Sequence, residues 1–107
     1  MVVNRFDIYL VSLDPTRGSE IKKTRPCVVI SPDEMNHNIK TVIIAPMTSS
    51  IKKYPTRTPM EFHGKKGQIV IDQIRTVDKA RLIKKIGRLK RNTYDKVLST
   101  LQEMFEL

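Results

Sequence analysis

Apolar residues alternate with polar ones over residues 6–13, through Phe6, Ile8 and Leu10, and predict a strand with one buried face. The polar run that follows, DPTRGSEIKKTR, is broken by Pro15 and Gly18. It reads as a long loop whose turns present Arg17 and Ser19. Residues 26–31 (PCVVIS) and 40–47 (KTVIIAPM) are short, β-branched, apolar runs and predict buried strands. Between them Ser31 stands as a cap with Pro32 at the first helical position, which predicts one helical turn. TSSIKKYPTRTP is a second long, basic loop. Residues 60–62 and 67–71 predict a hairpin turning across HGKK. Residues 82–89 predict a last strand, with Gly87 allowing a bend or bulge.

The end of the chain changes period. Tyr94, Val97, Leu98, Leu101, Met104 and Phe105 recur at helical spacing, and Asn92 with Asp95 forms a capping-box-like pair ahead of them. This apolar stripe is expected to close the open end of a sheet. The fold class is therefore mainly β (α+β): a small half-open β-barrel or strongly curved sheet with a C-terminal helix. All 107 residues form a single expected domain.

Composition narrows the partners. Twenty Lys and Arg face 11 Asp and Glu, a formal charge of +9. The basic residues cluster: seven lie between Lys79 and Arg91 with no acid among them, and further groups are Arg17, Lys22, Lys23, Arg25 and Lys52, Lys53, Arg57. Such a field captures polyanions, and nucleic acid ranks ahead of an acidic protein or a membrane surface. No apolar run approaches a membrane span, and no signal peptide is visible at the N-terminus. The one cysteine, Cys27, excludes an intrachain disulfide and fits a reducing cytoplasm.

Several chemistries lack their residues. No Walker loop, dinucleotide fingerprint, zinc spacing or paired carboxylates are present. No metal or other cofactor is therefore expected. His37 and His63 stand alone in polar loops, and Cys27 sits inside an apolar strand as a small core residue. Arginine, lysine and hydroxyl groups remain. They suffice for cleaving RNA, which carries its own nucleophile in the 2′-hydroxyl. The protein must align that group with phosphorus and stabilise charge on the phosphoryl oxygens, a task suited to the planar guanidinium.

Three ordered segments carry a specific resemblance: DPTRGSEIKKTRPCVVISPDEMN, then PMTS at 46–49, then DQIRTVDKARL at 72–82. Together they resemble the MazF/PemK toxin family, with matching order and spacing from Phe6 to Leu89. The resemblance implies an SH3-like, CcdB-like curved β-barrel, a homodimer, and a sequence-specific, metal-independent endoribonuclease acting on single-stranded RNA. It implies control by an acidic, MazE-like antitoxin that occupies the RNA groove. Arg25, in Thr24-Arg25-Pro26, maps onto the principal catalytic residue, and Thr48 onto its supporting hydroxyl. Some relatives emphasise an arginine at the position of Arg75 together with an Asp and a His. Val77 stands where that Asp is expected, or Asp78 after a shift of one, and no histidine lies near the first loop. Arg75 is then an RNA-binding candidate. The others are Arg17, Ser19, Glu20, Lys22 and Lys23 on the first loop, Ser49 and Lys53 on the second, and Gln73.

From the residues alone, Arg25 is equally a loop–strand junction residue biased to an extended backbone by Pro26. Thr48 is equally a strand terminator bonding its own backbone, and Gln73 either meets a base or satisfies a buried backbone group. Two rival functions stay in view: a CcdB-like gyrase-binding toxin, disfavoured by the absence of Trp, and a non-catalytic nucleic-acid-binding barrel.

Overall fold

The computed structural model describes residues 1–14, 17–20 and 23–107. Seven strands lie among the described residues: β1 (Asp7–Ser12), β2 (Thr24–Val29), β3 (Thr41–Thr48), β4 (Arg57–Phe62), β5 (Lys65–Val70), β6 (Arg75–Asp78) and β7 (Leu82–Arg88). One helical turn, α1 (Asp33–Asn36), sits between β2 and β3, and α2 (Tyr94–Met104) closes the chain. Every pairing is antiparallel, in the order β4-β5-β3-β2-β1-β7 with β6 also on β3. β3 is the hub. Its first half, Thr41–Ile44, pairs with β6, its end pairs with β5 through Met47 and Thr48, and β2 pairs with Ile44–Pro46. The sheet curls until the Phe62 ring of β4 reaches Gly87 of β7, where an added Cβ would stand 2.9 Å from the ring. The expected curved, half-open barrel is the architecture found.

β1, the second half of β2 and β3 are buried on both faces, which the alternation at 6–13 did not predict. Tyr9, Val11 and Leu13 join Cys27, Val29, Val42 and Ile44 in one core. Ile8 joins Val28, Ala45, Met47 and Ile69 in another, under the helix residues Val97, Leu98 and Leu101. Leu10, expected inside, is only half-buried. The helix stripe packs as its spacing predicts up to Met104. Phe105 lies beyond the helix end and is 71% exposed. Tyr94 stacks on Phe6 with ring centroids 3.9 Å apart, tying the helix to the start of β1.

Local signals were misplaced by a few residues. The β4–β5 turn is the two-residue His63-Gly64, with φ of 50° and 76°. Both positions are left-handed, as a tight hairpin turn compatible with strand twist requires. Lys65 and Lys66 therefore belong to the β5 ladder, opposite Phe62 and Glu61. Pro32 is the cap of α1 and not its first residue, and Ser31 instead bonds the buried Asn36 and the Ile43 amide. Asn92 does not cap α2: a 3₁₀ turn over Arg91–Thr93 precedes the helix, and the Thr93 hydroxyl donates to the Lys90 carbonyl. β6 carries the third motif and was not anticipated as a strand. Gly87 does mark an irregularity: the β1–β7 register slips between Ile8/Gly87 and Tyr9/Lys85.

Asp7 holds the β1–β7 seam. Its carboxylate is 0% exposed, accepts from Arg88 at 2.9 Å and from the Asn4 amide at 2.9 Å, and pairs with Lys85 at 3.3 Å. Asp7→Ala strands the Asn4 amide and releases two cations of β7. It should destabilise the fold by about 1–3 kcal/mol, read as a lower urea midpoint at unchanged slope. An unchanged midpoint would show the seam to be held by backbone pairing alone.

Candidate active site

Arg25 and Thr48 are brought together by the register of β2 on β3. Cys27 lies opposite Pro46, Val28 opposite Ala45 and Val29 opposite Ile44. The ladder ends at Cys27 and Pro46, and two residues beyond them Arg25 and Thr48 stand at the adjoining strand ends. Residues opposite each other on neighbouring strands project to the same face. Both line one cavity of about 220 Å³, together with Ser49, Phe62, Lys65 and Lys66. Arg25 is exposed, and its chain neighbour Pro26 has no amide to continue the ladder. The Thr48 hydroxyl accepts from the Ser50 amide at 3.1 Å, which leaves its own proton free to donate into the cavity.

β5 makes the third wall, and it passes unusually close. At Gly67 an added Cβ would lie 2.3 Å from the Thr48 carbonyl oxygen and 2.9 Å from Met60 Cε. Only a residue without a side chain fits there. The next residue, Gln68, is opposite Thr48 in the ladder and 6% exposed. Its amide is bonded twice to the loop after β3: Gln68 Nε2 donates to the Lys52 carbonyl at 2.8 Å, and Gln68 Oε1 accepts from the Lys52 amide at 3.0 Å. A buried amide without these partners would cost about 1–3 kcal/mol.

The remaining candidates fall into separate places. Glu20, Gln73 and Arg75 line a second cavity of about 250 Å³ with Leu13, Pro46, Asp72 and Ile74. The Arg75 guanidinium donates to the Leu13 carbonyl at 3.0 Å. Arg81 donates to the Ser12 and Asp14 carbonyls nearby, so two arginines grip the start of the first loop. The base of that loop is closed by the Leu13 amide on the Lys23 carbonyl, 2.9 Å, and by the Lys23 amide on Asp14, 3.2 Å. Within the loop the Glu20 carboxylate accepts from the Arg17 amide at 2.6 Å, across Gly18 at φ 55°. Arg17, Ser19 and Lys23 are exposed there, as are Ser49 and Lys53 on the second loop. Pro15 and Lys22 lie outside the described residues. A larger groove of about 770 Å³ runs between β4, β5 and the start of α2, and shares Met60, Lys66 and Gly67 with the Arg25 cavity.

The electrostatics separate structural from available cations. Burial pushes the Cys27 thiol up to about 12, although Arg75 and Arg25 both act to lower it. The thiol is a core group and no nucleophile, while both guanidiniums lie near enough for their fields to reach it. Burial raises the Asp72 carboxyl, but hydrogen bonds from Arg57 and Thr56 outweigh it and hold the group below its ordinary value. Among the described residues no group of three or more His, Cys, Asp or Glu side chains is placed to hold a metal ion. Reading the sequence singled out Arg25, Thr48 and Ser49 but not Gly67 or Gln68. Lys65 and Lys66 entered only as part of the HGKK turn. Nothing in a strand pattern marks a glycine by what crosses over it.

Comparison with known proteins gives the same outline. A family described as PemK-like, MazF-like toxin of type II toxin-antitoxin system matches residues 4–105. The chain is 39% identical over 108 residues to Endoribonuclease EndoA of Bacillus subtilis (strain 168), covering 95% of this chain and 93% of that protein. It is 40% identical over 91 residues to Endoribonuclease MazF of Staphylococcus epidermidis, covering 79% and 76%. Among solved structures, MazF from Deinococcus radiodurans superposes with a TM-score of 0.86 at 23% identity, over 100% of this chain and 99% of that one. An endoribonuclease in complex with its cognate antitoxin, from a mycobacterial species, superposes with a TM-score of 0.80 at 20% identity, over 94% and 92%.

The close passage at Gly67 makes a prediction. Gly67→Ala forces the Thr48 carbonyl and β5 apart. It should destabilise the protein by about 1–3 kcal/mol, measured as a drop in Tm. Retention of the wild-type Tm would mean that the two strands do not cross as closely as the geometry requires.

Proposed function

The chain belongs to the PemK-like, MazF-like toxin family of type II toxin–antitoxin systems, and we propose that it is a sequence-specific endoribonuclease whose reaction centre is the Arg25–Thr48 cavity. Two relatives near 40% identity carry the name endoribonuclease. The observation that carries the site is the pairing of a guanidinium and a hydroxyl on one face, at adjoining strand ends, in a cavity edged by Lys65 and Lys66.

The chemistry follows from what these groups do to a phosphodiester. The RNA 2′-oxygen bonds to phosphorus and the bond from phosphorus to the 5′-oxygen breaks. The 2′-hydroxyl proton is lost and the departing 5′-oxygen gains one. The products are a 2′,3′-cyclic phosphate and a 5′-hydroxyl end. Arg25 spans two non-bridging oxygens and stabilises the charge that grows on them. Thr48 accepts from Ser50 and donates its own proton to the same phosphoryl group. Glu20, Gln73 and Arg75 shape the second cavity as a place for a flanking nucleotide. Arg17, Ser19, Lys22, Lys23, Ser49 and Lys53 meet the strand from the two loops. The proposed setting is the cytoplasm, the proposed assembly a homodimer. The proposed regulator is an acidic antitoxin that competes for the basic surface, since solved relatives include complexes with antitoxins.

Two outcomes test this reading. Arg25→Ala should lower kcat by about 10²–10³ with the fold intact, and Thr48→Ala by about 2- to 10-fold, the equivalent of one neutral hydrogen bond. Wild-type turnover in Arg25→Ala would remove the reaction centre from this cavity. Separately, a single-stranded RNA should be cut in excess EDTA, while the same RNA with a 2′-deoxy or 2′-O-methyl group at the scissile nucleotide resists. Normal cutting of the modified RNA would overturn attack by the 2′-hydroxyl.

A further inference from the structure

Gln68 is out of place by its neighbours. It stands in β5 among Gly67, Ile69 and Val70, all buried, and is itself 6% exposed. A side chain that only filled this space would be apolar, because a buried amide must find both a donor and an acceptor. Gln68 finds both on one residue, the backbone of Lys52. The arrangement imitates a ladder pair: the amide of the side chain replaces a strand partner for a loop residue that has none.

The consequence lies two residues back. The loop leaves β3 at Thr48, and the Ser50 amide donates to the Thr48 hydroxyl. Lys52 is thus fixed to β5 by Gln68, and Ser50 is held between that anchor and Thr48. A hydroxyl that accepts from a fixed amide has one of its two lone pairs occupied, and its proton turns elsewhere. The elsewhere here is the cavity shared with Arg25. Residues Gln68 and Thr48 also face each other in the β3–β5 ladder, so anchor and target ride on the same rigid pair of strands.

We propose that Gln68 is a positioning residue for RNA cleavage: by clamping the Lys52 backbone it fixes the Ser50 amide and so aims the Thr48 hydroxyl at the scissile phosphate. This rests on the Arg25–Thr48 site above. It adds to that site a residue outside the loops and outside the three sequence motifs.

The test is a double-mutant cycle read on turnover. Gln68→Met keeps the volume and removes both hydrogen bonds. It should lower kcat at least about twofold and by no more than Thr48→Ala does, with KM little changed. The double variant Gln68→Met/Thr48→Ala should be no slower than Thr48→Ala alone, since an effect transmitted through a hydroxyl vanishes with the hydroxyl. Slowdowns that multiply would assign Gln68 a general structural role and overturn the proposal. Amide hydrogen exchange supplies a readout independent of activity. Protection at Lys52 and Ser50 should be lost in Gln68→Met, and persistent protection would show that no clamp exists. Should wild type fail to cut RNA, the site reading falls, while the exchange result still decides the clamp. Lys52→Pro is the second variant: it removes the N–H from which Gln68 Oε1 accepts without touching β5, and should reproduce the loss of protection at Ser50 and the turnover change.

Discussion

The passage of β5 against the end of β3 is the contact on which the site depends. Because Gly67 has no side chain, β5 can press onto the Thr48 carbonyl, and the second half of β3 gains a partner that β6 does not provide. β3 then serves three strands. With β2 on one edge and β6 and β5 sharing the other, the sheet must curl, and its curl carries Phe62 to Gly87 on the far strand. The absence of a side chain at one position thereby sets both the shape of the barrel and the distance between Thr48 and the wall of lysines. The energetic logic is that of a close-packed interior, where a displacement of a few tenths of an ångström must be absorbed by neighbours that have no slack.

Charge is divided between holding the fold and meeting a ligand. The run from Lys79 to Arg91 looked like the densest anion site in the sequence. In the structure most of it is committed: Lys79 to the Asn36 carbonyl, Arg81 to Ser12 and Asp14, Lys85 and Arg88 to Asp7, and Lys90 to Glu61 at 3.8 Å. A guanidinium spanning several carbonyls replaces backbone partners that an irregular junction cannot supply. The cations around the Arg25 cavity are fewer, more exposed and gathered from strands distant in sequence. Net charge predicted a polyanion partner correctly in kind. Its local density in sequence marked a stretch whose cations are mostly engaged within the fold, because repulsion along a chain is relieved by partners that sequence proximity does not reveal.

Element types were legible where one physical signal dominated. The β-branched runs at 26–31 and 40–47 became buried strands, and the Tyr94–Met104 period became the helix. Boundaries failed where two signals competed. His63-Gly64 was absorbed into a four-residue turn because the two lysines that follow read as turn residues, yet they pair with Phe62 and Glu61 in the β4–β5 ladder. β6 was missed because Thr76 and Val77 sit inside a motif too polar to read as a strand, and only β3 makes it one. Of the site, Arg25 and Thr48 were legible through the three motifs. Gly67 and Gln68 were not, since their meaning lies in what touches them across the sheet.

The proposed site has its chemistry at strand ends and its recognition on loops, which separates two demands. Arg25 is exposed, so its attraction for a single phosphate is weakened by water and salt. In the proposed reading, binding strength then comes from nucleotides on either side, through contacts spread over the two loops and the second cavity. Orientation, by contrast, must be set to within a fraction of an ångström for the guanidinium and hydroxyl to favour the transition state over the bound substrate. Paired strands meet that demand because their spacing, near 4.8 Å, varies little. In the proposed site, the loop anchored at Lys52 by the buried amide of Gln68 joins the two regimes: its outward residues can change while the backbone beside Thr48 stays where β5 holds it.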